Sequence, residues 1–212
     1  MAATDSGRGR LVVMEGVDGS GKSTVARRLA ESLGALLTFE PGDSALGRAL
    51  RAMLLESDAP GFSPRTEALL MSADRAQHVA EVVAPALQAG GWVVSDRYAP
   101  STLAYQGYGR GLDLAELTRL VAFATEGVQP DLIVLLDVPV EQALARRRGV
   151  EPDRLEGLDT AFHERVRRGY LTMAAADREH WAVVDGSVPL DEVLHKVESL
   201  VTERVGRPAS AP

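Results

Sequence analysis

One run, Gly16-Val17-Asp18-Gly19-Ser20-Gly21-Lys22-Ser23, constrains this chain more than any other stretch. It matches the pattern G-x-x-x-x-G-K-[ST] in full. Ahead of it, Leu11-Val12-Val13-Met14 is an apolar run that reads as a buried strand. Behind it, Val25, Leu29 and Leu33 recur at helical spacing through residues 24–33. Strand, glycine loop and helix N-terminus form the setting in which this pattern cradles phosphate. The glycines let successive backbone N–H groups turn inward on an anion, and the helix dipole adds favourable charge. In this reading Gly16 through Gly21, with Val17, Asp18, Gly19 and Ser20 between them, wrap a nucleoside triphosphate, and Thr24 opens the helix. Lys22 reaches the β- and γ-phosphates as a point charge, and Ser23 holds Mg²⁺ through its hydroxyl. The alternative is a glycine-rich turn before an ordinary helix, which the flanking strand and helix disfavour.

With 212 residues the chain has room for one large α/β domain, and two would be cramped. A hydrophobic fraction of 45% excludes wholesale disorder. The sequence has no cysteine, hence no disulfide framework, thiolate metal site or cysteine nucleophile, which fits a reducing cytoplasm. No apolar run approaches membrane-spanning length, and the N-terminus lacks a signal-like apolar core. A formal net charge of −7 argues against a general nucleic-acid binder. Phosphate-binding charge therefore has to be local.

Further strands are expected at residues 35–38, 92–95, 131–136 and 181–184. Helices are expected at 45–56, 65–89, 112–125, 140–148, 160–179 and 190–205. In the second helix Ser44 is the cap, and Leu46, Leu50, Met53 and Leu54 form the buried stripe. Pro85 bends the last turns of the third helix, and Gly90-Gly91 ends it. Residues 57–64, 100–111 and 149–158 read as loops. Strands alternating with helices imply a five-stranded parallel sheet flanked by helices, the three-layer α/β fold of P-loop NTPases. Residues 11–205 make one domain, with an arginine-rich lid at about 146–158, between disordered tails at 1–10 and 206–212.

A phosphate loop alone does not separate kinases, switches and motors, so a second site has to. Asp96-Arg97 falls at the C-terminal end of a strand, where open parallel sheets place ligands. The carboxylate can organise Mg²⁺, and the guanidinium can grip a second phosphate bidentately; a surface ion pair is the competing reading. Arg75, inside an amphipathic helix, adds a guanidinium near an acceptor, or is a solvated helix residue. Arg146-Arg147-Arg148 with Arg154 fits a lid that closes on triphosphate and neutralises developing charge. The competing reading is a basic helix end placed to suit the macrodipole.

Taken together, Met14-Glu15-Gly16-Val17-Asp18-Gly19-Ser20-Gly21-Lys22-Ser23-Thr24, Glu40-Pro41-Gly42, Ala73-Asp74-Arg75, Asp96-Arg97-Tyr98 with Ser101, Ala104-Tyr105-Gln106, Pro130-Asp131-Leu132, Leu136-Asp137-Val138 and Asp153-Arg154-Leu155-Glu156 resemble the thymidylate kinase family from about residue 11 to residue 205. The resemblance implies transfer of the γ-phosphoryl group of ATP to dTMP, with Mg²⁺, by a homodimer. Carried over by position, it implies that Asp18 contacts the acceptor's sugar and phosphate side and that Arg97 binds the phosphate. Arg75 would hydrogen-bond the thymine O4, Ser101, Thr102 and Gln106 would border the base, and Tyr105 would pack on the sugar against a 2′-hydroxyl. Gly19 stands where some members carry a catalytic arginine, so that Arg146 or Arg148 supplies the charge and Arg147 contacts ATP. Two positions depart from the family pattern. Phe39 replaces a common arginine, and Met71 replaces a phenylalanine that stacks on thymine, leaving a thioether to pack there.

Two other readings remain open at this point: a P-loop kinase for another nucleotide or deoxynucleoside, and a nucleotide-dependent regulatory protein. A nucleoside acceptor would need a general base for its neutral hydroxyl, whereas a monophosphate is already anionic. A guanine-reading Asn-Lys-x-Asp stretch is absent from the sequence, as is an Asp-x-x-Gly switch.

Overall fold

The computed structural model describes residues 8–55, 61–149 and 151–208. Expectations that fall on 1–7, 56–60, 150 and 209–212 (parts of both tails, a loop and one lid position) lie outside the described residues.

The first strand, β1 (Leu11–Glu15), is buried at every position. A central parallel strand must be, because helices cover both faces of its sheet. Its alternating side chains feed two cores. Leu11 and Val13 join Ile133 and Leu135 on one face; Val12 and Met14 join Leu132, Val134 and Leu136 on the other. After β1 come α1 (Lys22–Leu33), β2 (Leu36–Phe39), α2 (Ala45–Leu55), α3 (Pro64–His78), α4 (Ala84–Gln88), β3 (Val93–Asp96), α5 (Ala99–Thr102), α6 (Leu114–Thr125), β4 (Leu132–Asp137), α7 (Val140–Arg146), α8 (Thr160–Ala176), β5 (Trp181–Asp185) and α9 (Leu190–Arg204). The strands form one parallel sheet in the order β2-β3-β1-β4-β5. Val25 and Leu29 of α1 cover one face with Val193 and Val197 of α9. Phe162, Val166 and Tyr170 of α8 cover the other with Leu87 of α4. All five expected strands are present, and the architecture is the three-layer P-loop NTPase fold.

Side-chain caps fix several helix starts. Ser44 Oγ accepts the Gly47 N–H at 2.8 Å, as expected. Ser63, Asp113 and Asp159 cap α3, α6 and α8 in the same way.

Four expectations are corrected. Residues 100–111 are mostly helical, since α5 runs into a π-helical segment, Leu103–Gly109. The glycines there serve close packing. A Cβ at Gly107 would lie 2.5 Å from Leu114 Cδ2, and one at Gly109 would lie 2.6 Å from Phe162 Cε2. Second, Leu46 and Met53 are 47% and 49% exposed, so only Leu50 and Leu54 of the α2 stripe are buried. Third, the helix expected over 65–89 is interrupted by a π-helical turn, Val79–Val83, immediately before Pro85. A wide turn accommodates a proline that has no N–H and whose ring crowds the carbonyl four residues back. Last, the end of the N-terminal tail is pinned. Gly9 N donates to Leu87 O at 2.8 Å, and Arg10 pairs with Asp131 at 2.8 Å.

Truncating Leu29, which is fully buried, to alanine should lower stability by about 2–5 kcal/mol. Leu190→Ala, at a position 40% exposed on α9, should change it by no more than about 0.5 kcal/mol. Urea unfolding of both variants measures the difference. Equal losses would contradict the burial of α1 against the sheet.

Candidate active site

The parallel register of β1 and β3 pairs Met14 with Asp96. Residues some eighty positions apart in sequence thus leave the sheet side by side, one strand entering the glycine loop and the other entering Asp96-Arg97. In the loop Gly16, Gly19 and Gly21 have φ of 148°, 85° and 94°, a region that disfavours side chains. Gly19 has a second reason to be glycine, because a Cβ there would sit 2.2 Å from Ala143 O. Helix α7 therefore lies directly over the loop, and the Arg147 Cγ is 3.2 Å from the same point. Lys22 is buried and donates to Asp18 Oδ1 at 3.1 Å. Ser20 Oγ is buried with no hydrogen-bond partner among the described residues.

Arg97 is the electrostatic centre. Its φ of 75° is unusual for a residue with a side chain. Two backbone contacts hold it: Arg97 N donates to Met14 O at 3.0 Å, and Ser95 Oγ donates to Arg97 O at 2.7 Å. Nη2 reaches Asp18 Oδ1 at 2.5 Å and the Tyr105 hydroxyl at 3.0 Å. Nη1 reaches Ser101 Oγ at 3.0 Å and the Tyr170 hydroxyl at 3.2 Å. Tyr105 in turn donates to Asp18 Oδ2 at 2.6 Å. Burial opposes ionisation of Asp18, but Arg97 and Lys22 outweigh it and hold the carboxyl well below the usual carboxylate range.

A cleft of about 380 Å³ opens beside this cluster, with Arg75, Thr102, Gln106 and Met71 in its wall. Arg75 is buried, and its guanidinium donates to Glu40 Oε2 at 2.8 Å, Thr102 Oγ1 at 2.8 Å and Tyr98 O at 3.0 Å. Gln106 donates to Glu67 at 2.9 Å, which fixes its amide. Ser101 also lines the cleft, but its hydroxyl donates to Glu15 at 2.7 Å and so belongs to the surroundings of Arg97. Phe39 stands in the wall, half-exposed, with the Arg51 guanidinium 5.8 Å above its ring.

The arginines expected in the lid do not act as one group. Arg147 pairs with Glu156. Arg146 is exposed and approaches Ser187 O at 3.5 Å, and Arg148 is exposed. Arg154 goes elsewhere, donating to Leu54 O and to Glu67 Oε2, each at 2.8 Å, so it straps the lid to α2 and α3. Asp153 and Glu156 form a reciprocal cap. Asp153 Oδ1 accepts the Glu156 N–H at 2.9 Å, and Glu156 Oε2 accepts the Asp153 N–H at 2.8 Å.

Ser23 and Asp96 border the same cleft, and Asp96 Oδ1 is buried with no hydrogen-bond partner among the described residues. One hydroxyl and one carboxylate suit Mg²⁺, which prefers oxygen and takes its remaining ligands from phosphate and water.

Several site residues had no role assigned from sequence: Glu15, Glu40 and Asp74, which stand in the quoted motifs, and Glu67, His78 and Tyr170, which do not. Glu15 carried a usable signal, a charged residue inside an apolar strand. The others sit in helices or loops whose partners lie far off in sequence. Asp74 illustrates the point. Its Oδ1 accepts the Gly42 N–H at 3.0 Å, while Oδ2 is buried with no hydrogen-bond partner among the described residues. Burial, with the nearby Glu40 carboxylate, pushes it up to about 6.

That shift has a defined sign. The folded state binds the Asp74 proton more tightly than the unfolded chain, so this group's contribution is fully present below the ordinary carboxylate value. It is lost as pH rises through about 6. Asp74→Asn should remove this component and flatten the stability profile between about pH 4 and pH 6, an interval set by the ordinary and shifted values. Urea unfolding across that interval checks it; an unchanged slope would contradict the assignment.

Sequence and structure comparisons identify the family. The profile described as thymidylate kinase matches residues 14–197. A thymidylate kinase of Carboxydothermus hydrogenoformans is 48% identical over 200 residues, covering 92% of this chain and 97% of the relative. One from Synechococcus sp. (strain RCC307) is 47% identical over 209 residues, with the same coverage. The crystal structure of thymidylate kinase from Ehrlichia chaffeensis superposes with a TM-score of 0.75 at 29% identity, covering 92% of this chain and 99% of that one. With the phosphate loop, the β3-end arginine and the fold in one arrangement, the chain belongs to the thymidylate kinase family.

Proposed function

We propose that this chain is a nucleoside monophosphate kinase that transfers the γ-phosphoryl group of ATP to dTMP, giving dTDP for dTTP synthesis. The observation that carries the reading is the convergence of Lys22 and Arg97 on one carboxylate, Asp18, at 3.1 Å and 2.5 Å. A γ-phosphate held by Lys22 and an acceptor phosphate held by Arg97 are then neighbours, which is the positioning phosphoryl transfer needs. No general base is required, because the acceptor oxygen is already anionic. Gly16 to Ser20 present the loop to the triphosphate, while Lys22 and the α7-end arginines supply charge as it builds on the transferring group. Magnesium, held by Ser23 and Asp96 with nucleotide oxygens, would neutralise phosphate charge when bound. Arg75, Thr102, Gln106 and Met71 border the base, and Tyr105 bounds the sugar.

The working unit in this reading is a homodimer in the cytoplasm. Helices α3 and α6 pack together, and each carries an exposed large apolar side chain, Leu69 at 52% and Phe123 at 83%, of the kind a second copy would cover. Among the described residues, no helix is long and apolar enough to cross a membrane.

With ATP and Mg²⁺, turnover should be faster with dTMP than with dUMP, and much faster than with thymidine. Coupled detection of ADP across these acceptors tests this, and equal or greater turnover of thymidine would overturn the monophosphate reading. Lys22→Ala should lower kcat on the order of 10²-fold or more, with a smaller change in dTMP affinity. A folded Lys22→Ala protein with near-normal kcat would remove the phosphate loop from the mechanism.

A further inference from the structure

At Arg97 Nη1, the nitrogen that meets Ser101 and Tyr170 while Nη2 meets Asp18, lies a polar cluster that the mechanism above does not use. Glu15 is fully buried at the C-terminal end of β1. Its Oε1 accepts the Tyr98 N–H at 3.0 Å. Its Oε2 accepts both the Ser101 hydroxyl at 2.7 Å and the Tyr170 hydroxyl at 2.8 Å. Tyr170 is also fully buried and comes from α8, on the far side of the sheet's core. Glu15 itself stays 4.0 Å from the guanidinium, so it is not the primary partner of Arg97.

The proton inventory gives this arrangement a direction. An ionised carboxylate only accepts, and a guanidinium only donates. Ser101 and Tyr170 each have one proton, and their oxygens also lie 2.9 Å apart; burial pushes the Glu15 carboxyl up against the pull of Arg97, and in its ionised form Glu15 takes both protons. Each oxygen is then left with lone pairs facing Arg97 Nη1, at 3.0 Å and 3.2 Å. This holds Nη1 of the guanidinium, while Nη2 meets Asp18 and Tyr105. An acceptor phosphate can compete for the Nη2 contacts while the two hydroxyls keep Nη1 in place.

We propose that Glu15 and Tyr170 are positioning residues for acceptor binding: Glu15 orders the Ser101 and Tyr170 hydroxyls, and these fix Arg97 in the orientation that receives the acceptor's phosphate. The proposal rests on the reading of Arg97 as the phosphate-binding residue. It accounts for two observations together: a carboxylate buried in an apolar strand, and a helix-borne tyrosine that spends its hydroxyl inside the core beside the site. Packing alone would need neither hydroxyl nor charge at these positions.

The test compares Tyr170→Phe and Glu15→Gln with Arg97→Ala and the parent. Calorimetric titration of dTMP and of ATP is combined with steady-state kinetics and a thermal melt. Tyr170→Phe removes one oxygen and keeps the packing, so it remains informative if Glu15→Gln folds poorly. Each should raise the dTMP Kd and KM roughly tenfold, the loss of about one charge-assisted hydrogen bond. ATP binding should be unchanged. In an Arg97→Ala background, Tyr170→Phe should cost nothing further, because its effect runs through that guanidinium. Unchanged dTMP affinity in Tyr170→Phe, with Arg97→Ala impaired, overturns the positioning role alone. Equal losses of ATP and dTMP binding overturn it as well, since they mark general loosening. Unchanged dTMP affinity in Arg97→Ala overturns the phosphate-binding reading and this proposal with it.

Discussion

The structure depends first on the parallel pairing of β1 with β3 and β4. β1 is buried on both faces, so its register cannot slip without exchanging the two cores. That register sets Met14 opposite Asp96 and Glu15 opposite Leu135. The two chain segments that carry Lys22 and Arg97 therefore emerge together at one edge of the sheet. A carboxylate at the same edge, Asp18, then meets both.

Charge burial at this edge is tolerated because almost every ion has a partner. Asp18 faces two cations; Glu40 faces Arg75 and His78; Glu67 faces Arg110 and Arg154. Unpaired, such groups would cost several kcal/mol each to desolvate. The pairs do more than neutralise. Arg75 is held from three sides, which leaves it pre-oriented toward the cleft. Four buried side-chain atoms lack hydrogen-bond partners among the described residues, Asp96 Oδ1, Asp74 Oδ2, Ser20 Oγ and Ser72 Oγ, and the first three belong to the site or its border.

Glycine, too, has a different meaning at different places in this fold. Gly16 and Gly21 allow a backbone conformation that the phosphate loop requires. Gly107, Gly109 and Gly169 are there so that helices can touch, with ring or methyl atoms within 2.6 Å of where a Cβ would be. Gly19 satisfies both demands. From sequence alone the segment 100–111 looked like a loop because composition cannot tell a flexible glycine from a crowded one.

The sequence by itself determined the five strands, most helices, the phosphate loop with Lys22 and Ser23, and Asp96-Arg97 at a strand end. These are local signals: apolar runs, helical spacing, glycine patterns and capping residues act over a few neighbours. Resemblance to a family added an expected acceptor side at Arg75, Ser101 and Tyr105, whose motifs are short and ordered along the chain. The tertiary structure alone decided what each charge faces. It turned Arg154 to Glu67, held Arg147 against Glu156 and left Leu46 and Met53 outside the core. It also brought Glu15 and Tyr170 together across 155 positions of sequence. The physical reason is that electrostatic and packing partners are set by distance in space. Distance in space follows from strand order, crossover and register, which no local pattern encodes.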